Sequence, residues 1–291
     1  MSIKKNLLSV LALVLLTFSS CSEDNNEPTS GDLTINLTGL EVLGADFVYE
    51  GWLIVNGAPV STGTFTSVDF PQTFSVGINE LNTATKFVLS IEPAVDTDPS
   101  PAATKILAGD FSGNSASVTS TGIVGDFSNS WGKYILATPT DMDSSNEASG
   151  VWFLDNSSGS PAVGLGLPTL ADGWKYEGWV VLNGTPVRTG TFTDPASADD
   201  NAATSPFKGA SANGPGFPGE DYVMGSAAGV NFPTDLKGAT VVISVEPSPD
   251  NSPMPFTLKP LAHQVPANAM NHTVLTMGSG PTSVLTGSVS R

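Results

Sequence analysis

A seventeen-residue phrase occurs twice in this chain and constrains its fold more than any other feature. Residues 49–65 read YEGWLIVNGAPVSTGTF and residues 176–192 read YEGWVVLNGTPVRTGTF, with 12 of 17 positions identical at an offset of 127. Each phrase places Asn-Gly between two runs rich in β-branched and aromatic residues. Asn-Gly favours a type I′ turn, whose two central residues need positive φ, so each phrase predicts a β-hairpin.

A two-residue turn also fixes the pairing within each hairpin. Trp52 is then expected to face Ser61, and Trp179 to face Arg188, whose side chain could stack on the indole. The residues that define the repeat are Glu50, Trp52, Asn56, Gly57 and Gly63 in the first copy and Glu177, Trp179, Asn183, Gly184 and Gly190 in the second. We interpret them as the scaffold of two copies of one fold.

A second repeated phrase supports this interpretation. Residues 86–93 read KFVLSIEP and residues 240–247 read TVVISVEP, each an apolar strand that ends at Glu-Pro, at an offset of 154. Because 154 − 127 = 27, the second copy carries about 27 additional residues between the two phrases. They fall within 194–230, which is rich in Ala, Gly, Pro, Ser and Asp and is predicted to be an inserted surface loop. Two more strands are predicted within 132–141 and 149–155.

Short alternating strands, frequent turns and little helical periodicity predict an all-β protein. We expect two tandem β-sandwich domains of related fold, at residues 32–148 and 149–291. A flexible acidic tether at 21–31 and a signal peptide at 1–20 precede them.

The N-terminus has the three parts of a secretory signal. Lys4 and Lys5 precede an apolar run at 7–18, and small residues lead to Cys21, the single cysteine. The apolar run is shorter than the roughly 20 residues of a membrane-spanning helix. The FSSC sequence resembles a bacterial lipobox, which implies lipid attachment at Cys21; an ordinary signal peptide with an incidental cysteine is the alternative.

The sequence SEDNNEPTSGD directly follows Cys21 and is polar and acidic. It resembles the surface-export signal of Bacteroidetes-like lipoproteins, although a solvated linker would have the same composition. The resemblance implies a protein that is lipid-anchored in the cell envelope, at the outer membrane and facing outward.

The formal net charge of −17 becomes −19 when the two lysines of residues 1–20 are removed. So acidic a protein is not suited to bind nucleic acid or anionic lipid headgroups by charge. The expected partners are therefore the membrane, through the lipid anchor, and an envelope protein or polymer.

Two longer segments, LPTLADGWKYEGWVVLNGTPVRTGTFT at 167–193 and VVISVEPSPDNSPMP at 241–255, resemble the extracytoplasmic C-terminal domain of anti-sigma-K factors. The first copy carries the same motifs. The resemblance implies a β-sandwich outside the membrane. This chain lacks the transmembrane helix and the Cys/His zinc arrangement that accompany a sigma-binding domain, so we do not expect direct sigma factor binding.

Few residues suit catalysis or cofactor binding, and no cofactor is predicted. His263 and His272 are the two histidines, and no Gly-x-Ser-x-Gly elbow occurs. The recurring carboxylates Glu92 and Glu246 precede prolines, where hydrogen bonds to nearby backbone are a simpler role than glycoside hydrolysis.

The segment DMDSSNE places Asp141, Asp143, Ser145 and Glu147 at alternate positions. Oxygen ligands at this spacing can surround a calcium ion. The segment does not follow the EF-hand pattern, and the alternative is a solvated linker.

Aromatic faces can bind sugars and cations, so Trp131, Trp152 and Trp174 are candidate ligand platforms. Packing within strands is the alternative for each of them, and for Trp52 and Trp179.

These observations favour a non-enzymatic binding module on the cell envelope. The alternative is an extracytoplasmic sensor or accessory component of an anti-sigma factor pathway, and it depends on the family resemblance alone.

Overall fold

The computed structural model describes residues 27–250 and 252–291. The predicted signal peptide, Cys21 and most of the predicted tether lie outside the described residues. Within these ranges, no helix is long and apolar enough to cross a lipid bilayer.

The described chain folds almost entirely into β-strands, which confirms the predicted all-β class. In chain order the strands are β1 (Ser30–Thr38), β2 (Phe47–Val55), β3 (Ala58–Phe65), β4 (Gln72–Gly77), β5 (Lys86–Pro93), β6 (Lys105–Ser112), β7 (Ser115–Thr119), β8 (Trp131–Leu136), β9 (Val151–Trp152), β10 (Leu154–Asp155), β11 (Ala162–Val163), β12 (Leu165–Gly166), β13 (Trp174–Leu182), β14 (Thr185–Phe192), β15 (Gly219–Glu220), β16 (Ser226–Ala227), β17 (Val230–Asn231), β18 (Thr240–Pro247), β19 (Lys259–Gln264), β20 (Leu275–Thr282) and β21 (Thr286–Ser290). The helical elements are α1 (Ile78–Thr83) and a 3₁₀ turn at Glu147–Ser149.

Two large antiparallel sheets form two domains. The first sheet has the order β3-β2-β5-β6-β7-β21-β1-β4, and the second has the order β14-β13-β18-β19-β20-β8-β9-β15, with β12 also beside β8. Each sheet curls until its two edge strands approach each other. In the first domain, Phe65 of β3 packs on Phe74 of β4 with ring centroids 5.6 Å apart. Each domain is therefore a nearly closed, barrel-like β-sheet around an apolar interior.

The repeated phrases form the hairpins β2–β3 and β13–β14 with the predicted pairing. Trp52 lies opposite Ser61 and Trp179 lies opposite Arg188. Asn56 has φ 51° and Gly57 φ 82°, so the predicted positive-φ turn is confirmed. Both hairpins carry a β-bulge directly before the tryptophan.

The interior packing is repeated as well as the strands. In the first domain Tyr49 stacks on Phe65 with ring centroids 5.5 Å apart and an interplanar angle of 28°. Tyr176 and Phe192 stack in the second domain at the same distance and angle. Burying a large aromatic side chain stabilises a fold by about 1.5–3 kcal/mol, so this pair is a strong and shared part of each core.

The division between the sheets does not coincide with the predicted boundary at 148/149. Strand β8 joins the second sheet, and β21 joins the first sheet between β1 and β7. The first domain thus comprises strands from 30–119 and 286–290, and the second comprises strands from 131–282. Which sheet a short strand joins depends on long-range pairing, for which neither segment carries a local signal. Residues 30 and 31, expected in the tether, already belong to β1.

The end of the chain is fixed to the first domain. Arg291 Nη1 donates to the carbonyl oxygens of Ala84, at 2.7 Å, and Leu81. Its guanidinium lies 4.2 Å from the centroid of the Phe111 ring. The β21 strand therefore closes a sheet whose other strands come from the opposite end of the described chain.

Candidate functional site

Two of the three predicted tryptophan platforms are buried instead. Trp152 is 2% exposed and donates its indole N–H to Asp221 at 2.6 Å. Trp174 is 3% exposed and donates to the carbonyl oxygen of Lys105 at 3.2 Å. The prediction was wrong for both because each indole finds an acceptor inside the protein. Trp131 is 47% exposed.

The predicted calcium segment hydrogen-bonds within itself. Asp141 accepts from the Asp143 backbone N–H at 3.1 Å, and Asp143 accepts from the Ser145 N–H at 2.9 Å and its hydroxyl at 2.6 Å. Glu147 accepts from the backbone N–H of Thr138 and lies 3.2 Å from the His272 ring. The alternating carboxylates thus build turns, as in a loop with Asx turns.

A buried polar chain is repeated on the outer face of both sheets. In the first domain the Trp52 indole N–H donates to Ser90 at 2.8 Å, Ser90 donates to Glu92, and Glu92 accepts from the Ala102 N–H at 2.8 Å. In the second domain the Trp179 indole N–H donates to Ser244, Ser244 donates to Glu246, and Glu246 accepts from the Phe256 N–H at 2.9 Å. The carboxylates Glu92 and Glu246 therefore fix the loop that follows each strand, as predicted.

The two copies differ where Arg188 replaces Ser61. The Arg188 guanidinium lies 5.5 Å from the centroid of the Trp179 ring, so the expected stacking is confirmed. Arg188 also lies 3.4 Å from Glu177 and 3.8 Å from Asp250. In the first copy, the Ser61 hydroxyl instead donates to Glu50.

Glu177, Glu246 and Asp250 bring carboxylate oxygens within 4.8 Å of one another, which is close enough to hold a metal ion. Glu177 is 1% exposed, and burial raises its pKa to about 8, against the lowering effect of Arg188. Burial raises the pKa of Glu246 to about 7. Since Arg188 already lies beside two of the three groups, this acidic cluster contains its own counter-charge.

The insertion after β14 contributes further buried acids, so its description as a surface loop was incomplete. Asp221 accepts from the backbone N–H of Thr140 at 2.6 Å and from Trp152, and it is fully buried. Glu220 lies in β15, which pairs with β9 as the edge of the second sheet. Burial raises the pKa of Asp199 to about 8 and that of Glu220 to about 7. The insertion thus completes the domain as well as covering it.

A pocket of about 350 Å³ opens between the two domains. Its wall is mainly apolar and combines residues of the first domain at 41–44, 47, 91, 93 and 102–104 with residues of the second at 247–250, 252–253 and 256. Phe47 and Ile91 lie on one side and Phe256 on the other, with Pro93, Pro247, Pro249 and Pro253 around them. Small-molecule sites are commonly concave, apolar and placed at domain interfaces.

Glu41 is the polar residue of this pocket whose protonation is most affected. Burial raises its pKa to about 7, while the charge of Lys259 and a hydrogen bond from the Thr257 backbone oppose this effect. The Thr257 hydroxyl donates to the carbonyl oxygen of Gly39 at 2.7 Å, which also ties the two domains together. A partly buried carboxyl in an apolar pocket is a frequent mark of a binding site.

Sequence reasoning did not find this pocket. Its wall comes from segments that are far apart in the chain and meet only when the two domains pack.

The chain matches no protein-family model, no curated protein and no solved structure.

Proposed function

We propose that this protein is a non-enzymatic binding module of the cell envelope that holds the apolar part of a ligand between its two domains. The interdomain pocket supports this proposal most directly. It is lined by both domains, is mainly apolar and has two partly buried carboxyls, Glu41 and Asp250.

The loops around the pocket are held by hydrogen bonds that do not depend on a ligand. The Tyr49 hydroxyl donates to the carbonyl oxygen of Glu41 at 2.8 Å, and the Ala94 N–H donates to that of Asp46 at 2.8 Å. On the other wall, the Ser248 N–H donates to the carbonyl oxygen of Gly173 at 2.8 Å. A wall that is fixed before binding loses little conformational entropy on binding, which favours affinity.

The position of β1 indicates which end of the first domain is joined to the predicted anchor. Strand β1 begins at Ser30, within the segment predicted as the tether, and Glu41 follows shortly after its last residue, Thr38. Eight steps of about 3.3 Å separate the two ends of the strand by about 26 Å. A lipid on Cys21 would therefore be joined to the end of β1 that lies about 26 Å along the strand from the end leading to the pocket.

The proposal can be tested with residues 27–291 and a neutral fluorescent probe, N-phenyl-1-naphthylamine. We expect saturable binding that Ala102→Trp weakens at least tenfold, because Ala102 lines the pocket and its backbone hydrogen bond to Glu92 does not involve its side chain. Val95→Trp is the matched control, since Val95 is 90% exposed and lies outside the pocket wall.

Circular dichroism melts of all three proteins check that the variants fold. Absence of saturable probe binding to the folded wild-type protein would contradict the proposal. Equal binding by wild type and a folded Ala102→Trp variant would also contradict it.

A further inference from the structure

The two copies carry different aromatic residues at one position beside the domain interface. At the offset of 127, Phe47 corresponds to Trp174. The Trp174 ring packs on Phe256 with centroids 5.7 Å apart, and its indole N–H reaches the Lys105 carbonyl of the other domain. Phe47 is smaller, lacks the N–H donor and lines the open pocket. The second copy therefore places the Trp174 indole at this position, whereas the first copy has the smaller Phe47 beside an open pocket.

The charged residues in the wall of the pocket are acidic. Of the described residues that line it, the two charged ones are Glu41 and Asp250, both acidic. Two cations lie near these acids, because the charge of Lys259 acts on Glu41 and Arg188 lies 3.8 Å from Asp250. Lys259 Nζ also donates to the Phe256 carbonyl at 2.6 Å and Arg188 to the Ser252 carbonyl at 3.0 Å, and neither residue is part of the pocket wall. Because the described residues of the wall offer carboxylates and no cationic side chain, the wall suits a ligand with a positive group better than an anion.

We propose that the pocket selects small organic cations that carry a protonated amine on a flat apolar body. The flat body lies against Phe47, Phe256 and the prolines, and the amine pairs with the carboxylate of Glu41. This inference rests on the proposed function and adds to it the chemical class of the ligand.

The pocket geometry also sets a pH dependence. The charges of Lys259, Asp250 and Glu246 act on the Glu41 carboxyl, and the Tyr49 hydroxyl donates to the Glu41 backbone carbonyl. Burial raises the pKa of Glu41 to about 7, so its carboxyl carries a full charge only above that pH. A cation should therefore bind more tightly at pH 8 than at pH 6, while a neutral ligand of the same shape should not.

Three indoles of similar shape form the test: tryptamine, a cation, indole, which is neutral, and indole-3-acetate, an anion. Calorimetric or ligand-observed NMR titration at pH 8 should give the order tryptamine, indole, indole-3-acetate, with tryptamine at least tenfold tighter than indole. Glu41→Gln should reduce tryptamine affinity to that of indole and leave indole unchanged. Asp69→Asn, an exposed acid of the first domain outside the pocket wall, controls for the loss of one negative charge.

The outcomes separate this inference from the proposed function. Equal affinity for the three indoles, or no effect of Glu41→Gln on tryptamine binding, would overturn the selectivity for cations. In that case, probe binding that Ala102→Trp weakens would still support the pocket as a binding site. Probe binding without binding of any indole would overturn the ligand class. Failure of both the probe and the indoles would overturn both proposals.

Discussion

Replacing Glu177 with Gln should change how stability depends on pH. Glu177 is 1% exposed, and burial raises its pKa to about 8, from an ordinary value of 4.5. The folded protein holds this proton more tightly than the unfolded chain. The contribution of Glu177 to the free energy of unfolding is therefore fully present below pH 4.5 and is lost progressively as the pH rises towards 8. The difference between 4.5 and about 8 corresponds to about 5 kcal/mol as an upper limit. Relaxation and water entry reduce the expected effect to about 1–3 kcal/mol.

Gln resembles the protonated acid, so Glu177→Gln should match wild type near pH 5 and exceed it by about 1–3 kcal/mol near pH 8.5. Arg188 keeps its contact with Asp250 in this variant and is 47% exposed, so water can solvate its charge. Urea denaturation at half-unit pH steps between 5 and 8.5 measures the two slopes. Glu50→Gln, at the corresponding position of the first copy, controls for the loss of one charge. Parallel stability curves for wild type and Glu177→Gln would refute the argument that burial of this carboxyl is costly.

Three further predictions concern the fold and the anchor. Asp221→Ala leaves the buried donors of Trp152 and Thr140 without their acceptor and should cost about 3 kcal/mol or more in urea denaturation, whereas an unchanged midpoint would contradict the contacts of Asp221. Deletion of residues 286–291 removes the strand between β1 and β7, so hydrogen exchange of those two strands should rise at least tenfold, and unchanged protection would argue against closure by β21. Cys21→Ala should move the protein from the membrane fraction to the soluble fraction, and an unchanged distribution would show that lipidation was wrongly predicted.

Local signals predicted the hairpins and the Glu-Pro strands well. The Asn-Gly turns fixed the pairing of Trp52 with Ser61, and β5 and β18 have the bounds of the two repeated phrases. The sequence predicted less where the outcome depends on distant partners. Strand β8 pairs with β20, and β21 pairs with β7, each across more than a hundred residues of sequence. Trp152 is buried because Asp221, 69 residues away, supplies the acceptor for its indole N–H. The interdomain pocket has the same origin, since its walls meet only after both domains have formed.

The comparison of the two copies separates scaffold from function within one molecule. Each copy uses the same tyrosine to hold the loop before its first hairpin strand, through Tyr49 to Glu41 and through Tyr176 to Pro168. Each also uses the same tryptophan–serine–glutamate chain to hold the loop after its Glu-Pro strand.

These contacts occur in both copies and therefore mark the shared scaffold, whereas positions that differ between the copies are not part of it. Two of them, Glu41 for Pro168 and Phe47 for Trp174, lie at the same pocket. Phe47 in place of Trp174 only reduces packing at this position. Glu41 in place of Pro168 also puts a carboxyl into an apolar wall, where its burial costs free energy. Both changes are therefore consistent with the proposed binding of a cation with a flat apolar body, which would pack on Phe47 and pair with Glu41.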